Sequence, residues 1–368
     1  MEKRGFEADM HIEETDSIII GGGLSGIYAA SLLAAETKSL VLLEARSRLG
    51  GRILSREHQG FFADMGPSWY WPMFNPKINA LIQSLDLKGF PQFENGLSRL
   101  QGRNGYVETI GGYPMEPPGW RIEGGMIALV KGLCDRMPKD IIRLNHPVCE
   151  IERLDNSVQV SVGRLDREPE CRLNASRVIL ALPPRLAARS ILFTPDLPYK
   201  LTQAMLRAST WMAGHAKFFA LYDKAAWRRM GLSGQGFSMC GPLAEIHDGS
   251  SESDRPYGLT GFVGIPALRR KDRESMIQAI LAQLTLLYGQ EAGEPVSVYY
   301  QDWANEEFTA TEYDQRAAHN HPEFLPPEGK TSFWDGMLHF AGTETADQFS
   351  GYLEGALSSA ERAVQAAV

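Results

Sequence analysis

The stretch Ser17-Ile18-Ile19-Ile20-Gly21-Gly22-Gly23-Leu24-Ser25-Gly26 decides the fold. Its apolar start reads as a buried strand, and the residues from about Ser25 to Glu36 are small and apolar, as a closely packed helix requires. Between strand and helix, Gly21, Gly23 and Gly26 take the three glycine positions of GxGxxG. The first glycine allows a tight turn, the second lets the backbone approach a pyrophosphate, and the third lets helix and strand pack closely. The helix then offers unpaired N–H groups and the positive end of its dipole to phosphate, with Ser25 in the same turn. A glycine pattern alone is weak. Here Leu40–Leu43 follows, short enough for a buried parallel strand, and Glu44 closes it, 23 residues after Gly21. A carboxylate there is suited to accept hydrogen bonds from ribose hydroxyls. Residues 16–52 therefore read as a βαβ unit that binds a dinucleotide.

Working outward, 368 residues at roughly 150 per domain suggest about two domains. A composition of 43% apolar and 22% charged residues allows a large buried core. The net charge of -8 argues against a nucleic-acid partner, which calls for a basic face. No apolar run reaches the roughly 18 residues of a membrane span. Residues 1–14 are charged, read as a flexible tail rather than a secretory signal, and leave a cytoplasmic location as the expectation. Cys134, Cys149, Cys171 and Cys240 are scattered without a CxxC pair, so free thiols are expected and a metal site is not. His319 and His321 form an H-x-H, but Asn320 and Pro322 place it in an exposed loop.

Further along, Asn75 to Leu87 has helical spacing with Pro76 suited to the first turn, and Met126 to Met137 reads as another helix. Strand-like runs at 147–154, 157–162 and 177–182 suggest an antiparallel meander. The segment 95–119 is rich in Gly and Pro and shows little periodicity. An amphipathic helix is expected near Glu274 to Tyr288, and the chain closes with a strand at Leu338–Ala341 and a helix from Leu353.

Glu44-Ala45-Arg46-Ser47-Arg48-Leu49-Gly50-Gly51-Arg52 resembles the E-A-R-x-R-x-G-G-R segment of the FAD-dependent amine oxidase superfamily, which includes monoamine and polyamine oxidases. The resemblance implies that Ala45, Arg46, Gly51 and Arg52 lie along the FAD. Ala63-Asp64-Met65-Gly66-Pro67-Ser68-Trp69 is similar to the family turn that passes close to the flavin ring, which implies cofactor contacts for Gly66, Pro67 and Ser68. Val148 is similar to the position whose backbone holds the adenine, and Trp303 to a Trp that packs beside the flavin. Phe340-Ala341-Gly342-Thr343-Glu344-Thr345 and Ser350-Gly351-Tyr352-Leu353-Glu354 resemble the segment that binds ribityl chain and flavin, with Gly342, Glu344, Tyr352 and Leu353 as its contacts. The implied fold is α/β: a doubly wound Rossmann-like FAD-binding domain with an inserted α+β substrate domain. The expected division gives 15–75, 120–197 and 305–368 to FAD, and 76–119 and 198–304 to substrate.

The resemblance also implies a reaction. Tyr313 and Tyr352 match two aromatics that flank an amine, and Trp69 is a candidate for the same cavity. The implied chemistry is hydride transfer from a neutral amine to FAD N5, giving an imine that hydrolyses, with oxygen or another acceptor taking the electrons. No second GxGxxG serves a nicotinamide. The alternatives are a C–C desaturase of the protoporphyrinogen oxidase or carotenoid desaturase type, and a non-catalytic FAD-binding subunit. Three departures matter. Glu312 stands where some members carry a flavin-linking cysteine, so FAD should be non-covalent. Many members set a lysine against flavin N5 to assist reaction with oxygen, whereas Gly261 to Ala267 contains none and Lys217 matches a lysine usually structural. Only Gly96 to Gly119 occupies the place of a longer helical insertion. The active site is then more open or covered by a partner subunit, which makes a homodimer one expected assembly.

Overall fold

Ile18, Ile19 and Ile20 are buried on both faces of a mixed sheet of nine strands among the described residues, which is why their run is unbroken rather than alternating. The computed structural model describes residues 12–34, 36–37, 39–253, 255–270, 272–315 and 321–368. The strand Ile12–Ile20 pairs in parallel with Leu40–Leu43 on one side and with Cys171–Leu180 on the other. The helix Leu24–Leu33 follows directly, as the glycine pattern requires. It packs on the closing helix Leu353–Ala367, where Tyr28 Oη donates to Glu361 Oε1 at 3.0 Å.

The first strand begins earlier than expected. Residues 12–14 belong to it rather than to a tail, with Ile12 opposite Arg172 and Thr15 opposite Ala175. Their charges conceal this, because the charged side chains are satisfied along the sheet: Glu13 takes both Arg143 Nη atoms, and Glu14 accepts from Asn174 Nδ2 at 2.8 Å. The meander is likewise extended. Its third strand starts at Cys171 rather than 177, because Leu173 and Ala175 are buried while Arg172 and Asn174 are partly exposed, a period-two pattern diluted by polar residues. The first half pairs antiparallel with Val158–Val162 and the end pairs in parallel with Leu338–Phe340.

The chain forms two compact units. One comprises the described residues up to Gly51 with Leu133–Thr210 and His321–Val368; the other comprises Arg52–Gly132 and the described residues from Trp211 to 315. Residues 52–75 thus fall with the second unit, not the first. The reason is packing: Leu54, Ala63 and Met65 share a buried cluster with Phe219, Leu221 and Trp303. The second unit is built on a seven-stranded sheet, in the order Ser297–Asp302, Ala216–Tyr222, Tyr257–Val263, Leu243–Asp248, Leu232–Ser238, Leu97–Gln101, Val107–Ile110. The helix Arg273–Tyr288 contributes Ile277, Ile280, Leu284 and Leu287 to the core against this sheet.

The last two strands of that sheet lie in the segment that showed no periodicity. They form a hairpin whose turn is closed by Gly102 N donating to the Tyr106 carbonyl at 3.0 Å. Their buried positions are polar, which hid the alternation. Ser98 donates to Gln235 Oε1 at 2.8 Å, and Gln101 accepts from Ser238 Oγ at 2.7 Å.

His339, fully buried on the strand Leu338–Phe340, bonds Ser332 Oγ and the Gly336 carbonyl through its two ring nitrogens. Burial, with Arg177 adding to it, lowers its pKa, while the Gly336 carbonyl pulls the other way. The unfolded chain therefore takes up a proton at this residue that the folded chain refuses. Stability from His339 is complete above about pH 6.5 and is lost as pH falls below it, by at most about 1.4 kcal/mol per pH unit. The expected result is a flatter stability profile between pH 7 and 5 in His339→Gln than in the parent, measured by urea unfolding. Equal slopes would remove His339 as the cause.

Candidate active site

In the first unit the GxGxxG turn is held by close contacts that only glycine permits. Gly21 has φ +107°, and a Cβ on Gly26 would lie 1.9 Å from the Gly21 carbonyl oxygen. Gly23 differs: it is extended, and a Cβ there would meet only Gly51 Cα at 4.0 Å. Gly23 is also the N-cap of the Leu24–Leu33 helix, with no side chain capping it and no acid in the first turn. The N-terminal N–H groups of this helix are thus open to an anionic acceptor.

Glu44 is buried and bridges the two ends of this region. One carboxylate oxygen accepts from Gly22 N at 2.7 Å, the other from Arg46 N at 2.8 Å. Each oxygen keeps lone-pair capacity for a further donor. Arg46 Nη1 lies 3.8 Å from the same carboxylate. Ala45 and Arg46 are half-buried, and the Gly50 N–H donates to the Gly22 carbonyl at 2.7 Å, which draws Gly51 against Gly23. His146 N donates to the Glu44 carbonyl at 2.9 Å, so the loop leading into Val148 joins the same cluster.

The C-terminal segment belongs to the same unit. A Cβ on Gly342 would lie 2.2 Å from the Leu182 carbonyl oxygen. Ser25 Oγ donates to the Ala341 carbonyl, tying the glycine-rich turn to this segment. Glu344 is buried, and Tyr352 is the N-cap of the closing helix, with Leu353 its first residue. Tyr352 is 40% exposed, and burial of the rest raises its pKa. Its hydroxyl lies 3.3 Å from His321 Nε2, with the rings 5.3 Å apart. His321 therefore has a defined neighbour; His319 lies outside the described residues.

The second unit carries Arg52, Gly66, Pro67, Ser68, Trp69, Trp303 and Tyr313. Arg52 Nη1 donates to the Trp211 carbonyl at 3.2 Å, and the Arg52 carbonyl leaves no room for a side chain at Gly66. Trp303 Nε1 donates to the Met65 carbonyl at 2.9 Å. Tyr313 is 55% exposed beside a turn in which Thr311 donates to Asp314 Oδ2. Trp69 is fixed by its Nε1 donating to Gln92 Oε1 at 2.7 Å and by the His247 ring, 4.9 Å away edge-on.

Lys217 is the residue whose importance the sequence concealed. The strand Ala216–Tyr222 is buried throughout, so a lysine stands within an otherwise apolar run. Alternation puts Lys217 on the face of Phe219 and Leu221, toward the 64–69 turn, where Nζ donates to the Gly66 carbonyl at 2.8 Å and to Ser68 Oγ. The ring centroids of Trp69 and Phe262 lie 5.5 and 5.4 Å from Nζ. Burial lowers its pKa to about 7, with Arg121 adding to the effect and Asp64 opposing it. The carboxyl of Asp64 is itself raised by burial, although Ser55 Oγ and Met126 N both donate to it. Lys217 lies directly opposite Phe262 in the sheet. The residues 261–267 that lack a lysine thus run beside a strand that has one.

A family model described as flavin containing amine oxidoreductase matches residues 97–368, and one described as NAD(P)-binding Rossmann-like domain matches 19–85. The chain belongs to the flavin-containing amine oxidoreductase family. Among curated relatives of this flavoprotein, the probable flavin-containing monoamine oxidase A of Dictyostelium discoideum is 23% identical over 94% of this chain and 96% of its own. The putrescine oxidase of Kocuria rosea is 24% identical, covering 84% and 87%. An L-amino acid dehydrogenase of Synechocystis is 24% identical, covering 96% and 94%. The fold is that of solved structures of putrescine oxidase bound to putrescine (TM-score 0.80, 23% identity, 96% and 99% covered) and of cyclohexylamine oxidase from Brevibacterium oxydans (0.81, 21%, 96% and 98%). The alignment with the Dictyostelium relative spans 452 positions against 368 residues here, so that relative carries insertions this flavoenzyme lacks. No helix among the described residues is long and apolar enough to cross a membrane.

Proposed function

We propose that this protein oxidises an amine at its C–N bond, with FAD held non-covalently and oxygen or another acceptor taking the electrons. FAD, when bound, supplies the two-electron acceptor for the substrate. The open helix start at Gly23, with Glu44 and Arg46, would take the adenosine and diphosphate. The segment from Gly342 to Leu353 would take the ribityl and flavin part. Tyr352 and Tyr313 would flank the amine and, with Trp69, orient it and exclude water.

Lys217 supplies the observation that carries the oxidase reading over the non-catalytic one. A lysine buried in an apolar strand, beneath an indole and against the turn read as flavin-facing, costs stability and has no ion-pair partner among the described residues. A purely structural residue would be better apolar. We assign Lys217, against the structural role that its sequence match implies, the place of the lysine that many family members set against the flavin, with Nζ able to hold or release a proton near neutral pH. Non-covalent attachment is supported by Glu312 at the position next to Tyr313 and by cysteines only at 134, 149, 171 and 240. The same thiols, all unpaired, go with a cytoplasmic location.

Two measurements test this. Anaerobic mixing with a panel of primary and secondary amines, diamines and amino acids should bleach the flavin absorbance with at least one amine; no bleaching with any donor would sink the enzymatic reading. Acid precipitation should release all flavin into the supernatant, whereas coloured protein would mean a covalent bond. Tyr352→Ala should raise KM for the best amine by about tenfold, roughly 1.4 kcal/mol of binding, without lowering Tm, because the ring is part-exposed. An unchanged KM would remove Tyr352 from the substrate contacts.

A further inference from the structure

The turn Phe340–Thr345 is unusual in how completely its carbonyls are tied back to its own unit. The Ala341 oxygen accepts from Ser25 Oγ and, at 2.7 Å, from Ser359 Oγ. The Gly342 oxygen accepts from Thr345 N at 2.8 Å and from its hydroxyl at 2.7 Å. The Thr343 oxygen accepts from Ala346 N at 3.2 Å, and the Glu344 oxygen from Ser350 Oγ at 3.1 Å. All four inner carbonyls are thus served by groups in or near the turn, or by Ser25 and Ser359 on the first and closing helices.

The two end carbonyls depend on one residue. Arg362, nine residues along the closing helix from Leu353, donates Nη1 to the Thr345 carbonyl at 2.7 Å and Nη2 to the Phe340 carbonyl at 3.1 Å. Nη2 also donates to Thr345 Oγ1 at 2.8 Å. The planar fork therefore fixes the distance between the start and end of the turn. Arg362 makes no ion pair among the described residues, and Nε is buried without a partner. A desolvated guanidinium given over to main-chain oxygens sets geometry more than it offsets charge.

We infer that Arg362 is a positioning residue for the cofactor, clamping the 340–345 turn in the shape that receives the flavin end of FAD. The inference rests on the assignment of Gly342 to Leu353 as flavin-binding. A lysine retains the charge but, as a point donor, cannot bridge both end carbonyls, so Arg362→Lys should recover only part of what Arg362→Gln loses.

The test is FAD titration of the flavin-stripped full chain, with Tm of the same samples. Arg362→Gln should raise the FAD Kd by at least about tenfold, as loss of charge-assisted bonds at the turn requires, with Arg362→Lys intermediate. Glu344→Gln is run alongside. Weaker binding in Glu344→Gln with parental affinity in Arg362→Gln would overturn the positioning role alone. Parental affinity in both would overturn the flavin assignment of the segment as well. A lowered Tm with unchanged Kd in Arg362→Gln would leave a merely structural arginine and overturn the proposal. Should Arg362→Gln fail to fold, the folded Arg362→Lys decides: weakened FAD binding supports the clamp and parental binding overturns it.

Discussion

Lys217→Met is expected to slow oxygen consumption with a saturating amine by about 10²-fold, while the rate of anaerobic bleaching changes by less than about threefold. The first figure is the usual cost of removing one preorganised charged donor from a dry site. The second follows from the location of Nζ, which bonds the Gly66 carbonyl and Ser68 Oγ in the second unit. Trp69, the proposed amine contact nearest Nζ at 5.5 Å, is held by its own hydrogen bond to Gln92 Oε1 and keeps it in the variant. Methionine keeps an unbranched chain of similar length, so Phe262 and Trp69 retain a packing partner. The lost hydrogen bonds are offset by removing a lysine whose charged form is penalised by burial.

The sign of the pH dependence follows from the same residue. Its pKa is lowered to about 7, so the cation dominates below that pH and the neutral amine above it. If the cation assists the oxygen step, the oxygen-dependent rate falls as pH rises through 7, and the limb is absent in Lys217→Met. Stability moves oppositely: the unfolded chain holds this proton up to about pH 10.4, so stability gains with pH between about 7 and that value in the parent only. An oxygen rate and pH limb that survive the substitution would return Lys217 to a structural role.

Why the sequence concealed this residue, and what else it concealed, has one physical explanation. The βαβ unit was legible because its signals are local: Gly21, Gly23 and Gly26 lie within six residues, and Glu44 comes one strand later. In the structure Glu44 accepts from Gly22 N within this turn. The helices with Pro76 and Tyr288 were equally readable from local periodicity. Features decided across the chain are not readable in this way. Residues 261–267 hold no lysine, and the nearest lysine in the sheet is Lys217, on the neighbouring strand opposite Phe262. The hairpin Leu97–Ile110 escaped because Ser98 and Gln101 fill its buried positions, each satisfied by a partner more than a hundred residues away. Sequence continuity joins residues 52–75 to the first segment, whereas Ala63 and Met65 find their apolar partners at Phe219 and Trp303. Local chemistry was visible; the partners that complete it were not.

Gly23→Ala and Gly26→Ala should separate cofactor binding from folding, although the two residues are three apart in one motif. At Gly26 a Cβ would sit 1.9 Å from the Gly21 carbonyl oxygen, so helix and strand must part by more than an ångström. Overpacking a dense core costs typically about 1–3 kcal/mol, and backbone against backbone belongs at or above the top of that range. Gly26→Ala should therefore lower the Tm of the flavin-stripped protein and weaken FAD binding together. At Gly23 the backbone is extended with φ -77°, which alanine adopts freely, and the added methyl has 4.0 Å to its nearest neighbour. Gly23→Ala should leave that Tm within about a degree of the parent. Its methyl nevertheless projects at the uncapped helix start, where the second glycine of the pattern lets a pyrophosphate reach the N–H groups. Losing that approach is expected to raise the FAD Kd by about 10²-fold, near 2.7 kcal/mol. FAD titration and thermal melts of both stripped variants decide the matter. Parental FAD affinity in Gly23→Ala would mean that the diphosphate does not use this helix start, however well the glycines spell the pattern.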